Sequence, residues 1–195
     1  MEMTPLAAGP EFDLIRRIVK QATHTNSLIR VGPGDDCAII GELALSVDAS
    51  VENVHFRREW ITAGEIGWRA AAAALSDLAA VAATPVGILV SLILPAQDAG
   101  DFAKGIMRGA VAAVEAAGGV LLGGDVTSGA TLVVDVVAVG AVDQPVLRSG
   151  AQVGDGVWVT GRLGGAAAAV STWLSGTAPN TNARTRYAQP LPRVA

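Results

Sequence analysis

The stretch 62–81 constrains the fold most. Alanine, the strongest helix former, fills much of it, and a single acidic residue, Asp77, lies between Leu75, Leu78 and Ala79 near its end. Thr62 is placed to N-cap the helix, and Glu65, three residues on, completes a capping box. Pro85 is read as its stop. Side chains this small imply close packing against a sheet. A carboxylate on so apolar an element is costly to bury unless it is paired or metal-bound. The plainer reading puts Asp77 on the helix's one exposed stripe, and the residues leave both readings open.

The rest of the chain supplies that sheet. Residues 11–21 place Phe12, Leu14, Ile15, Ile18 and Val19 at helical spacing, with Arg16, Arg17 and Lys20 on the other side. Gly32-Pro33-Gly34-Asp35-Asp36 reads as a loop. The runs 37–40 and 43–47, split by Gly41-Glu42, read as a hairpin with Asp48 at the end of its second strand. A short extended piece is expected over 51–56. Strands are expected over 86–94, 120–122, 131–142 and 154–160, and helices over 98–117 and 164–174. From 175 to 195 the composition turns to Thr, Asn, Pro and Arg, which reads as a linker or tail. The order α, β-rich, α, β, α, β, β, β, α predicts an α+β (mixed α/β) domain with helices packed on one face of a sheet.

Composition narrows the function classes. Of 195 residues, 51% are hydrophobic and 16% charged, which excludes a disordered chain. The net charge is −4 and no Lys/Arg cluster is visible, so a nucleic-acid partner is not expected. An acidic chain that binds an anionic nucleotide needs a cationic intermediary, and a divalent metal is the obvious one. The lone Cys37 excludes an intrachain disulfide and fits a reducing cytoplasm. No signal peptide is read at the start of the chain. The apolar stretch 70–83 is too short to span a bilayer. With two histidines, His24 and His55, and one cysteine, a zinc site is not expected.

Asp35, Asp36, Asp48, Asp77 and Asp125 all fall where predicted elements meet glycine-rich or polar turns. Mg²⁺ takes oxygen ligands, commonly a few carboxylates with water and phosphate oxygens. Carboxylates gathered at one cleft would hold metal and, through it, a polyphosphate. Each signal alone is weak, since Gly-Asp pairs are ordinary turn formers. Gly123-Gly124-Asp125 follows a predicted strand, where glycine lets backbone N–H groups approach phosphate; it is also an ordinary turn sequence. Neither a Walker A loop nor a Gly-x-Gly-x-x-Gly fingerprint is present. Arg148, near a strand end, could contact phosphate or simply face solvent.

Taken together the motifs are far more specific: Gly-Asp-Asp-Cys-Ala at 34–38, Leu-Ser-Val-Asp at 45–48, Val-Glu-Asn-Val-His-Phe at 51–56, Ile-Gly-Trp-Arg-Ala at 66–70, Leu-Ser-Asp-Leu-Ala-Ala at 75–80, Leu-Gly-Gly-Asp-Val-Thr at 122–127, Arg-Ser-Gly-Ala at 148–151 and Gly-Asp-Gly-Val-Trp-Val-Thr-Gly at 154–161. In this order they resemble the thiamine-monophosphate kinase family, within the aminoimidazole-ribonucleotide synthetase-like ATP-binding proteins. The resemblance runs from about residue 11 to about residue 193 and implies ATP-dependent phosphorylation of thiamine monophosphate to the diphosphate, with several Mg²⁺ ions. It implies metal ligation at Asp36, Ser46, Val47, Asp48, Asp77 and Asp125, ATP contacts at Gly124, Asp125 and Arg148, and a substrate contact at His55. It also implies a homodimer formed through the sheet.

Three departures stand out. Val47 and Ala49 lack a hydroxyl usual in the family at one of those places, so Val47 can offer only its backbone carbonyl. Asn53 replaces a common glycine, a mild change because Asn tolerates left-handed backbone. Family members continue into a second domain that supplies further metal and phosphate ligands. The expected organisation is therefore a flexible N-terminus at 1–10, an ATP- and metal-binding domain at 11–174, and a linker or truncated start of the next domain at 175–195.

Overall fold

The computed structural model describes residues 9–21 and 26–194. His24 and most of the expected flexible N-terminus lie outside that range. Helix α1, Pro10–Val19, opens with proline in its first turn, where the missing N–H is not needed. Strand β1 (Ile29–Val31) pairs with β2 (Ala38–Ile40), which forms the expected hairpin with β3 (Leu43–Val51). Helix α2 (Ala63–Ala80) follows, then β4 (Thr84–Leu94), a short 3₁₀ turn at Ala96–Asp98, and α3 (Asp101–Ala116). Strands β5 (Val120–Ser128) and β6 (Val133–Ala141) complete the sheet, and α4 (Gly165–Leu174) and α5 (Thr181–Ala188) close the chain.

The six strands lie in the order β1-β2-β3-β6-β4-β5. All neighbours are antiparallel except β4 and β5, which run parallel and are linked through α3, as a parallel crossover requires. Helix α2 packs on β3, β6 and β4, and α3 on β4 and β5, so both cover one face. Along β6 every second residue (Val134, Val136, Ala138, Gly140) is buried against the helices, the two-residue period of a strand with one face covered. Leu75 and Leu78 of α2 meet them and are fully buried, each contributing about 1.5–3 kcal/mol.

The small residues of α2 serve a closer contact than expected. A Cβ on Gly67 would sit 1.8 Å from the carbonyl oxygen of Ile106, and one on Gly109 1.8 Å from that of Gly64. Helices α2 and α3 therefore touch backbone to backbone. The capping box forms as read: Glu65 N–H donates to Thr62 Oγ1 at 3.3 Å, and Thr62 N–H to Glu65 Oε2 at 2.8 Å.

Five expectations need correction. Helix α2 ends at Ala80, ahead of Pro85; Ala82 takes a left-handed φ of 58° and Ala83 N–H donates to Leu78 O at 2.8 Å, which turns the chain before the proline. Pro85 instead lies in β4, where the pairing with β6 slips between Pro85 and Gly87; such an irregularity tolerates the missing donor. Asp48 lies inside β3, which runs on to Val51, and 51–56 is mostly a turn, with Asn53 at φ 64°. Residues 154–160 form no strand, and Val157 and Trp158 stand almost fully exposed, since no strand among the described residues lies beside them. The segment read as a linker holds α5, N-capped by Asn180 and anchored by buried Ala183, Tyr187 and Ala188.

Candidate functional site

Asp36, Ser46, Asp48 and Asp77 come together where the loop before β2, the middle of β3 and the last turns of α2 converge. Asp77 is half-buried and turned toward the sheet, where its Oδ2 accepts the Ser46 hydroxyl; it does not lie on an exposed stripe. Burial lifts the Asp77 carboxyl above its ordinary value, Asp36 and Asp48 add to the rise, and the Ser46 hydroxyl and Arg148 oppose it. Asp48 is also raised, by burial first and then by Asp135, against the pull of His55 and Arg69. Cys37, beneath this group, donates its thiol to the Asp77 carbonyl at 3.4 Å. Burial and the charges of Asp77, Asp36 and Asp35 push its pKa up to about 12, which leaves it an inert thiol at neutral pH.

Arg148 covers the loop. Its Nη2 donates to Asp36 Oδ1 at 2.7 Å and its Nε to Oδ2 at 3.1 Å, while its backbone N–H donates to Asp35 Oδ2 at 3.1 Å. The bidentate fork matches carboxylate or phosphate equally well.

Asp125 and Gly124 lie elsewhere. Gly123-Gly124-Asp125 is part of β5 and makes no turn; Leu122 is an extra residue in the pairing with β4. A Cβ on Gly124 would sit 1.9 Å from Val90 O, so glycine here lets two strands approach. Asp48 pairs with Val136, Val136 with Val90, and Val90 with Gly124. Three strand spacings, roughly 14 Å, therefore separate Asp48 from Gly124. Asp125 aligns with Ser91 and Asp135 on the sheet face away from the helices. Val47 also points to that open face, 66% exposed, and can turn only its carbonyl toward a ligand.

Among the described residues no three His, Cys, Asp or Glu side chains stand close enough to hold a metal ion as placed. The Asp77 carboxylate with the Ser46 hydroxyl bonded to it, and the Asp36 and Asp48 carboxylates near enough to act on its charge, offer only oxygen, the donor type a hard divalent cation takes. A cation there would offset the burial that chiefly lifts Asp77 and the repulsion from Asp36 and Asp48 that adds to it.

His55 sits on the turn after β3. Its Nδ1 accepts the Val51 N–H at 3.0 Å, which leaves Nε2 as the protonated, donating nitrogen. The turn is braced by Arg58, which pairs with Glu52 at 2.6 Å and Asp98 at 2.7 Å. Beside His55 opens a cavity of about 320 Å³ lined by Asp48, Ser50, Arg69 and Ser76 among others. Sequence reasoning missed Arg69 and Tyr187 here. Arg69 could have been found from its helical phase with Ala73 and Asp77, which places them on one side of α2. Tyr187, the chain's one tyrosine, gave no signal within its polar segment.

A family profile described as AIR synthase related protein, N-terminal domain, matches residues 34–142. The curated thiamine-monophosphate kinase of Mycobacterium tuberculosis (strain H37Rv) is 33% identical over 188 residues, 93% of this chain and 56% of that protein. That of Bacillus subtilis (strain 168) is 36% identical over 200 residues, 95% of this chain and 61% of that protein. The chain thus spans little more than half the length of these relatives. Among solved structures, AaThiL complexed with AMPPCP and TMP superposes with a TM-score of 0.83 at 29% identity, covering 94% of this chain and 60% of that one. Thiamine monophosphate kinase from Aquifex aeolicus gives 0.79 at 26%, covering 96% and 63%.

Proposed function

The chain belongs to the family of AIR synthase related proteins, N-terminal domain, and from that premise we propose that it carries the metal- and ATP-binding site of a thiamine-monophosphate kinase. The observation that carries this reading is the convergence of Asp36, Ser46, Asp48 and Asp77 on one side of the sheet, in a chain whose structural relative was solved with AMPPCP and TMP. In this reading those four residues hold Mg²⁺, which neutralises the charge on the transferring phosphoryl group. The acceptor is itself a phosphate, ionised at neutral pH, so no strong general base is needed. Positioning and charge stabilisation are then the protein's main tasks. Arg148 would exchange Asp36 for a nucleotide phosphate once a cation occupies the carboxylates. The buried, unpaired Cys37 suits a cytoplasmic setting.

The same reading includes a homodimer through the open face of the sheet. Leu43, Val47 and Leu89 are exposed there, an apolar surface of the kind that marks an interface. One carboxylate oxygen of Asp135 is buried on this face without a hydrogen-bond partner, a cost that a partner chain would remove. The distance of Asp125 from the other carboxylates suits a site that a second copy completes.

Titration with Mg·AMPPCP and then with thiamine monophosphate tests the proposal. Saturable binding of both is expected. A folded chain that binds neither contradicts the reading.

A further inference from the structure

The cavity beside His55 contains a cation that the metal site does not account for. Arg69 projects from the middle of α2, and burial pulls its pKa below the usual arginine value. A guanidinium is normally lodged in protein against a carboxylate, yet among the described residues Arg69 forms no ion pair, and Asp48 acts on it only through space. One N–H group, on Nη1, donates to the Tyr187 carbonyl at 2.6 Å. None of its nitrogens is both sealed from solvent and without a partner, so the remaining donors are open to solvent, and Arg69 lines the cavity.

Tyr187 organises both donors of this cavity. Its ring lies 4.1 Å beneath the Arg69 guanidinium, its carbonyl accepts from Arg69, and its hydroxyl donates to the His55 carbonyl at 3.1 Å. With Nδ1 engaged by Val51, His55 offers Nε2–H. Tyr187 is fixed in turn by edge contacts with Trp60 and Trp173, at 6.1 and 5.2 Å between centroids, and by the Arg184–Glu65 pair that docks α5 onto the start of α2. A preformed guanidinium fork next to an imidazole N–H fits an oxyanion. Asp48 lines the same cavity and would repel that anion unless a cation lay between them.

We infer that Arg69 and His55, held in place by Tyr187, form the seat of the acceptor's phosphate group, with Arg69 the residue that distinguishes a phosphate monoester from the free alcohol. The inference rests on the proposed function and adds to it the recognition of the acceptor. Arg69 contacts the phosphate, and Tyr187 is a positioning residue.

The test compares thiamine monophosphate with thiamine by calorimetry on the full chain in saturating Mg·AMPPCP. The chain should prefer the phosphorylated form by about tenfold or more, the scale of a hydrogen bond to a charged group. Arg69→Met, which keeps the apolar stem, should bring the two affinities together while leaving Mg·AMPPCP binding intact. Arg69→Lys should keep part of the preference. Tyr187→Phe, which loses only the hydroxyl bond to His55, should weaken it less than Arg69→Met. Equal affinities in the wild type, or a wild-type preference in Arg69→Met, would overturn the inference. Should Arg69→Met not fold, a wild-type preference in Arg69→Lys together with undiminished phosphate discrimination in His55→Ala would overturn it as well. In each of these cases, intact Mg·AMPPCP binding leaves the proposed function standing, whereas loss of nucleotide binding in the wild type removes the proposed function itself.

Discussion

The carboxylates around Asp77 and the carboxylate of Asp125 occupy opposite kinds of structure. The first group is built within one chain: a loop, a strand and a helix converge, Ser46 bonds Asp77, and Arg148 grips Asp36. Asp125 lies on an edge strand whose residues are almost all exposed, on the other face of the sheet. Both regions have glycine beside aspartate, and the glycines act differently. Gly34, at φ 118°, turns the loop that presents Asp35 and Asp36, whereas Gly124 brings β5 close to β4. Similar short motifs can thus mark a loop that presents carboxylates to a helix and a strand edge whose place is set by its neighbours.

Substituting Gly124 by valine should have the largest effect on stability. A Cβ cannot stand 1.9 Å from Val90 O, so β5 must shift or detach, at about 1–3 kcal/mol. Hydrogen exchange should show β5 amides losing protection while α2 and β3 keep theirs. Loss of protection across all three would mean that the two regions unfold as one unit.

Mixing Asp77→Asn chains with Asp125→Asn chains sharpens the comparison at the next level. Each variant alone should bind Mg·AMPPCP poorly. If a second copy supplies Asp125, random exchange in a two-fold dimer restores about a quarter of the sites. No recovery after complete exchange, confirmed by mass spectrometry of mixed dimers, would place Asp125 in its own chain's site or outside any site.

The smallest effect is expected from Arg148→Met. The pair with Asp36 is partly exposed, with side chains 46% and 26% accessible, so stability should change by no more than about 1 kcal/mol. Mg²⁺ alone should bind about two- to fivefold more tightly once Asp36 is released, whereas AMPPCP should lose affinity along with the phosphate contact. An unchanged Mg²⁺ affinity would show that Arg148 does not compete for the metal's place.

Much of the fold was legible because the signals were local. The capping box at Thr62 and Glu65, the period of β6 and the hairpin around Gly41 depend on neighbours in sequence. The fate of Pro85 was not legible, because the slipped register that tolerates it belongs to the pairing of β4 with β6. Helix α5 was hidden for a similar reason. Its polar sequence is held by Trp60 and Glu65, distant in the chain, and by Trp173 of the helix before it, and with it went Tyr187 and the role of Arg69. The structure draws near one another Asp36, Ser46, Asp48 and Asp77, four of the residues that the family resemblance grouped with Asp125; sequence pattern by itself carried no signal for Ser46. It could not place Asp125, whose distance is set by the order in which strands enter the sheet.

The carboxylates around Asp77 are proposed to bind nucleotide through a divalent cation. Calorimetric titration of AMPPCP, with and without Mg²⁺, into the wild-type chain and into Asp77→Asn tests this proposal most directly. The expected result is saturable binding that requires Mg²⁺ and weakens by at least about 100-fold in Asp77→Asn, with the melting temperature of the variant no lower than that of the wild type. Binding without Mg²⁺, or binding left unchanged in a folded Asp77→Asn chain, would contradict it.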